Sequence, residues 1–304
     1  VQYAAYALLR RYATGILKED WSFSSVLGAG EALKFGISLA VINASADGSE
    51  APAGPLRGRV AYLVRHSGKM AVPAFLYLTM NMLGFVSLKR VDAGTFAVVQ
   101  QSKIFFTALF SRLFLSRALS LPKWCALLSL VLGVVLISLH ANPEFACYSA
   151  SASPKPTLVA GGPFDYIVGV AAVATDSALS GFATVYFELV LKTTKLTVWD
   201  RNLQLAFWSM LIYLPWAVYD HPDNPTHGWS VVTLVVALLG ALGGILVALV
   251  IKHADGLAKN LATASSIVLT AAGGHFFFGA PMSASIVLGS LVVIVSGFNY
   301  QNVS

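Results

Sequence analysis

Charge is what this sequence has least of. Only 11% of its 304 residues are Asp, Glu, Lys or Arg, against 57% hydrophobic residues, and its mean hydropathy is +0.72. A water-soluble domain sets a charged face opposite each apolar stripe, so this balance excludes one and makes lipid the expected solvent. Cysteine is nearly absent: Cys125 and Cys147 are too few for a disulfide framework, and Cys125, inside an apolar run, is expected to pack rather than react. The six histidines have no metal-ligand spacing, no carboxylate cluster is visible, and neither a GxGxxG nor a GxxxxGK(S/T) loop occurs. Catalysis, a metal and a cofactor are therefore not expected. The formal net charge of +6 is scattered singly or in pairs through loops rather than gathered in an aromatic-laced patch, so nucleic acid is not the expected partner. An initiator Met is missing too, and Val1 to Leu9 is shorter than the ~20 residues a span needs. It reads as a fragment whose first span lacks its start.

What is present is a succession of apolar runs of membrane-spanning length. They predict ten helical spans near 1–12 (partial), 22–43, 70–88, 92–116, 121–140, 163–190, 199–219, 229–251, 257–279 and 282–299, separated by charged or Pro/Gly-rich breaks. Ser45–Lys69 and Asn142–Pro163 read as exposed loops, the second joining two halves. If spans alternate sides, one side carries Lys and Arg over the other by about two to one, which predicts cytoplasmic termini.

Sliding the chain against itself by 163 residues lays Lys89-Arg-Val-Asp92 over Lys252-His-Ala-Asp255. In the same register Ser102, Ile104, Thr107, Ala108, Phe114 and Ser120 meet Ser265, Ile267, Thr270, Ala271, Phe277 and Ser283. This predicts a duplicated half: residues 1–141, a connecting loop over 142–162, and residues 163–304. Five spans per half is an odd number, so the halves insert with opposite topology. That is the inverted-repeat design of alternating-access carriers, with substrate held near the midplane.

The polar residues inside the spans sharpen this reading. Lys103 lies near the centre of the 92–116 run, where a cation costs about 2.5–3.5 kcal/mol and is expected to face a wet cavity or an anion. Lys259 is in the first turn of the 257–279 span, where the free N–H groups of a helix terminus already favour an anion. Two lysines reaching one cavity suit a phosphate-bearing solute. Glu31 with Lys34, spaced i, i+3, and Glu188 with Arg201 or Lys192 read as structural ion pairs. Asn202, Ser180, Gln101 and Asn81 offer donors and acceptors suited to a base or ribose. Gly243-Gly244 and Gly273-Gly274 mark close packing seams.

With those residues in view, four stretches resemble the nucleotide-sugar transporter family, within the drug/metabolite transporter superfamily. They are Val91-Asp-Ala-Gly-Thr-Phe-Ala-Val-Val-Gln-Gln-Ser-Lys-Ile104 with Thr107-Ala-Leu-Phe-Ser111; Ser180-Gly-Phe-Ala-Thr-Val-Tyr-Phe-Glu188; Val198-Trp-Asp-Arg-Asn-Leu-Gln204; and Gly243-Gly-Ile-Leu-Val-Ala-Leu-Val-Ile-Lys-His-Ala-Asp255 with Lys259 and Ser266-Ile-Val-Leu269. Together with Glu31-Ala-Leu-Lys34 they run through nearly the whole chain. The resemblance implies an all-α Golgi membrane antiporter of ten spans in two inverted halves, exchanging a cytosolic nucleotide-sugar for a lumenal nucleoside monophosphate. It implies that Lys103 and Lys259 hold the phosphate, that Ser180 and Asn202 contact the base, and that Gln101, Tyr186, Asn81 and Phe96 line the pocket. Met80-Asn81-Met82 retains one of the family's paired asparagines; Phe96, Val247 and Ala248 look more like the UDP-galactose branch than the CMP-sialic acid branch. A UDP-sugar, UDP-galactose or a UDP-N-acetylhexosamine, is therefore expected, with UMP as the exchanged nucleotide. The alternatives are a CMP-sialic acid/CMP antiporter, a carrier of other phosphorylated metabolites with the same fold, and a membrane-embedded transferase using a nucleotide-activated donor.

Overall fold

Long apolar runs close their backbone hydrogen bonds internally as helices, because hydrocarbon supplies no alternative partner. A computed structural model describes residues 1–44, 55–88, 90–91, 93–141, 163–193, 195–280 and 282–302. Among them are twelve α-helices and no strand: α1 (Gln2–Arg11), followed by a π-helical turn at Tyr12–Ile16, α2 (Phe23–Ala44), α3 (Leu56–Arg65), α4 (Gly68–Leu88), α5 (Ala93–Gln100), α6 (Lys103–Leu115), α7 (Leu121–Ala141), α8 (Pro163–Thr193), α9 (Val198–Asp220), α10 (Val231–His253), α11 (Gly256–Phe278) and α12 (Ala284–Asn302). Cys147, the 142–162 connection, Lys89 and Asp92 of the repeat match lie outside the described residues.

Seven of these helices are long and apolar enough to cross a membrane, so the chain is a multi-pass helical membrane protein. The other three expected spans differ for separate physical reasons. Helix α1 has only 10 residues. The 92–116 run is two helices, interrupted at Gln101-Ser102. Helix α9 opens on a polar run, with Asp200, Arg201, Asn202 and Gln204 all buried. On α10, Leu234, Leu238, Leu242 and Leu246 are exposed at four-residue intervals, which makes a continuous apolar ridge for lipid. Two expectations are corrected. Residues 56–65 of the expected loop form helix α3, anchored by fully buried Leu63, and Cys125 is exposed rather than packed.

The chain divides into two compact units, Val1–Phe75 with Tyr186–Asp255 and Leu76–Val185 with Gly256–Ser304. Each draws on residues from both sides of the 142–162 connection, so the compact units do not follow the expected division into 1–141 and 163–304. Helices starting at 68, 93 and 121 recur at 231, 256 and 284, the offset of the repeat.

In the first unit, α9 begins with a reciprocal cap: Thr197 Oγ1 accepts from Asp200 N (3.1 Å) while the Asp200 carboxylate accepts from Thr197 N (2.9 Å). Arg59 of α3 lies 3.7 Å from the same carboxylate, so the cap also ties α3 to α9. At the other end of α9, exposed Asp220 accepts from Ser22 Oγ (2.5 Å) and Ser24 Oγ (2.6 Å). Gly228 has a φ of +72°, and a Cβ there would meet the carbonyl oxygen of Asp20, two residues before Ser22, at 2.5 Å; glycine alone fits. The two serine hydroxyls hold the Asp220 carboxyl below its ordinary range.

A carboxylate depressed in the folded state adds stability above its unfolded pKa, and that stability is lost as pH falls through the folded value. Acidification from pH 7 to 5 is thus expected to leave this latch closed, with opening only below about pH 4. Amide hydrogen exchange of residues 19–25 and 221–230 checks this: protection lost already at pH 5 contradicts it, whereas Asp220→Asn should lower protection at pH 7.

In the second unit the core is Ile104, Ala108, Leu127, Leu130, Val134, Ile137, Leu257, Leu261, Ala264, Ile286 and Val293. Gly133 on α7 and Gly289 on α12 approach so closely that a Cβ on either would lie 2.9 Å from the other's carbonyl oxygen.

Candidate functional site

The interruption between α5 and α6 sets the geometry around Lys103. Gln101 N, Ser102 N and Ile104 N bond the carbonyls three residues back, Val98 (3.2 Å), Val99 (3.0 Å) and Gln101 (3.1 Å), a tight turn in place of the α-helical ladder. The Val99 carbonyl also accepts from Ser102 Oγ (2.7 Å) and from Ser177 Oγ of α8 (3.3 Å). Such a break at membrane depth is tolerated where the backbone is buried in protein or lines a cavity. Its result is that Lys103 is the first residue of a 13-residue half-helix. The cationic side chain and the positive helix end therefore share one location, an arrangement that attracts anions.

Helix α8 holds α6 in place. A Cβ at Gly181 would lie 2.7 Å from Phe106 Cβ and 2.8 Å from Thr107 N, so the two backbones are in direct contact there. Thr107 Oγ1 donates to the Lys103 carbonyl (2.7 Å) and accepts from Asn260 Nδ2 of α11 (3.1 Å). One residue before Asn260, Lys259 Nζ donates to Thr184 Oγ1 of α8 (3.2 Å). Thr184 in turn donates to the Ser180 carbonyl (2.8 Å). Lys103 and Lys259 lie close enough to act on each other electrostatically. The second unit thus brings together Lys103, Lys259 and Ser180. Gln101, buried at the break, and half-buried Phe96 and Asn81 belong to the same unit. In the repeat register Lys259 corresponds to Phe96 and Lys103 to Ser266, so the two cations are not copies of one position.

Asn202, Tyr186, Glu188, Arg201, Glu31 and Lys34 belong to the first unit. Asn202 is fully buried, and its Nδ2 donates to the Val198 carbonyl (3.0 Å). A carbonyl only accepts, so this contact fixes the amide orientation. The Asn202 Oδ1 then has no hydrogen-bond partner among the described residues, a condition that costs about 1–3 kcal/mol and fits a ligand-facing acceptor. Tyr186 donates to the Lys69 carbonyl (3.1 Å). Glu188, fully buried, pairs with Lys192 at 2.9 Å, one of its two expected partners. Arg201 donates to Gln204 Oε1 (2.7 Å), and Gln204 to the Leu63 carbonyl (2.8 Å). Glu31 and Lys34 pair at 2.6 Å, and Gly244 leaves room for the lysine, since a Cβ there would sit 3.4 Å from Nζ. A cavity of about 260 Å³ adjoins Glu31, lined also by Tyr3, Tyr6, Gly240, Gly243 and Val247.

One polar group near Lys103 escaped the sequence reading. Asp176 of α8 is 5% exposed, hydrogen-bonds Gln100 and acts electrostatically on Lys103. A carboxylate inside an apolar run, one turn before Ser180, is the signal that could have found it.

Comparison with known proteins bears on what these groups serve. The chain is 37% identical over 239 residues to the UDP-N-acetylglucosamine/UDP-N-acetylgalactosamine transporter of Caenorhabditis elegans, covering 76% of this chain and 68% of the relative. It is 37% identical over 238 residues to the human UDP-N-acetylglucosamine transporter, covering 76% and 70%. To the bovine UDP-galactose translocator it is 36% identical, covering 77% and 58%. A crystal structure of a protein only 12% identical superposes with a TM-score of 0.71 over 99% of this chain and 93% of the other, which speaks to the fold. These relatives are transporters rather than enzymes. The family model described as nucleotide-sugar transporter matches residues 1–301, and the chain belongs to the nucleotide-sugar transporter family.

Proposed function

We propose that this protein carries a UDP-sugar, UDP-galactose or a UDP-N-acetylhexosamine, into the Golgi lumen in exchange for UMP, with both termini cytoplasmic. The observation that carries the substrate is similarity at 37% identity to transporters named for UDP-N-acetylglucosamine. The site chemistry supports it. On this reading Lys103 and Lys259 hold the phosphate, Ser180 and Asn202, whose Oδ1 has no hydrogen-bond partner among the described residues, serve the base, and Gln101, Tyr186, Asn81 and Phe96 are the pocket-lining residues. The recurrence of helix starts at the 163-residue offset supports two inverted repeats, 1–141 and 163–304, that alternate access.

Proteoliposomes loaded with UMP and offered labelled UDP-sugars, CMP-sialic acid and sugar phosphates test this. UDP-sugar entry should rise at least about tenfold with internal UMP. Preferred entry of CMP-sialic acid against CMP, or of a sugar phosphate, overturns the UDP assignment; no stimulated entry of any of them overturns the exchange.

A further inference from the structure

Asp176, Ser180 and Thr184 recur at four-residue intervals on α8 and so occupy one face of it, one turn apart. The face carries a gradient of function. Thr184 takes the hydrogen bond from Lys259, Ser180 is in the middle, and Asp176 is bound to Gln100 at the helix break that places Lys103. Asp176 is nearly as buried as the apolar core beside it, where a lone carboxylate is among the costliest groups a span can hold. Part of that cost is offset by the hydrogen bond with Gln100 and then by Lys103, at a turn of α8 whose next residue, Ser177, bonds the Val99 carbonyl of the break at 3.3 Å. Lys103 feels both Asp176 and Lys259 electrostatically, yet no contact within ion-pair distance joins it to Asp176 among the described residues. The carboxylate balances the lysine without capping it.

The charge balance is instructive. With all three groups ionised, two lysines and one carboxylate sum to one positive charge. A nucleoside monophosphate or a sugar-linked diphosphate brings about two negative ones. The substrate phosphate and Asp176 therefore compete for Lys103, and the carboxylate weakens substrate binding. In the empty protein the effect is opposite, because Asp176 removes one of two uncompensated charges that the site would otherwise carry while it changes sides. Resting on the UDP-sugar/UMP reading above, we propose that Asp176 is an internal counter-anion to Lys103 that the substrate phosphate displaces, and that it sets both nucleotide affinity and the ease with which the unloaded carrier returns.

The test is Asp176→Asn, close to isosteric and still able to bond Gln100, compared with wild type in UMP binding and in two fluxes: exchange against internal UMP, and net entry into empty vesicles. UMP binding is expected to tighten at least about tenfold, and net entry to fall at least about fivefold relative to exchange. In a Lys103→Gln background the same substitution should change UMP affinity by less than about twofold. Unchanged affinity and flux ratio overturn the proposal, as does weakened UMP binding, which would make Asp176 a direct acceptor for substrate. Asp176→Ser, smaller and also uncharged, serves if the asparagine variant does not fold. Wild-type protein that binds no UMP at all defeats the underlying reading instead, so the two failures are distinguishable.

Discussion

Replacing Lys103 by alanine is expected to reduce UDP-sugar/UMP exchange at least about thirtyfold while leaving the melting temperature within a few degrees of wild type. The reason lies in what Lys103 does and does not hold up. Its side chain tops a half-helix whose position is fixed by other groups: the Thr107 to Asn260 hydrogen bond at 3.1 Å, the Ser177 to Val99 bond at 3.3 Å and the Gly181 contact. Removing the ammonium therefore costs little packing and spares the span a cation. For an anionic substrate it removes one of the two cations of the proposed phosphate site, and losing one member of a charged pair costs about 2–5 kcal/mol, or roughly 30- to 5,000-fold. Lys259→Ala should behave similarly. Lys103→Arg keeps the charge but places a rigid planar fork at a tight break, and is expected to retain about a tenth of the exchange. Proteoliposome exchange together with a thermal melt on the same preparations checks all three. Full exchange by Lys103→Ala would remove the phosphate role assigned to this residue.

The parts of this architecture that were legible in the sequence are those that the bilayer dictates. Apolar run length follows from hydrocarbon thickness, so α2, α4, α7, α8, α10, α11 and α12 fall close to their expected bounds. Glu188 with Lys192 and Glu31 with Lys34 were legible because helical spacing alone makes them neighbours. The break at Gln101-Ser102 was not, since Gln and Ser are acceptable inside helices and the bond from Ser177 to the Val99 carbonyl, which adds to the local bonds of the turn, is tertiary. Helix α3 hides in a stretch carrying Arg57, Arg59 and Arg65, whose charge looks like a loop until Leu63 is seen to be buried. Asp176 is diluted by the 31-residue helix around it. The 163-residue register is visible from scattered identities, yet it does not predict which helices form each compact unit, because helix packing is a tertiary choice.

Gly181→Ala is expected to impair both folding and exchange, which sets it apart from the lysine variants. The added methyl would lie 2.7 Å from Phe106 Cβ, 2.8 Å from Thr107 N and 2.9 Å from the Phe106 carbonyl carbon. Two of those atoms are main chain, so no rotamer change relieves the clash, and α6 must move away from α8. Overpacking of this kind costs about 1–3 kcal/mol, a loss of several degrees in melting temperature. Since Lys103 is the first residue of α6, the same movement displaces its ammonium relative to Lys259 and stretches the Ser177 to Val99 bond that closes the break. Exchange should fall at least about tenfold although no charged group has been touched. Gly36→Ala is the matched control: nothing lies within 4 Å of a Cβ there, and alanine is the better helix former by about 1 kcal/mol, so stability should hold or rise and exchange persist. If Gly181→Ala melts and exchanges like wild type, α6 is not held by α8, and the position of Lys103 must be explained by the Thr107 to Asn260 link alone.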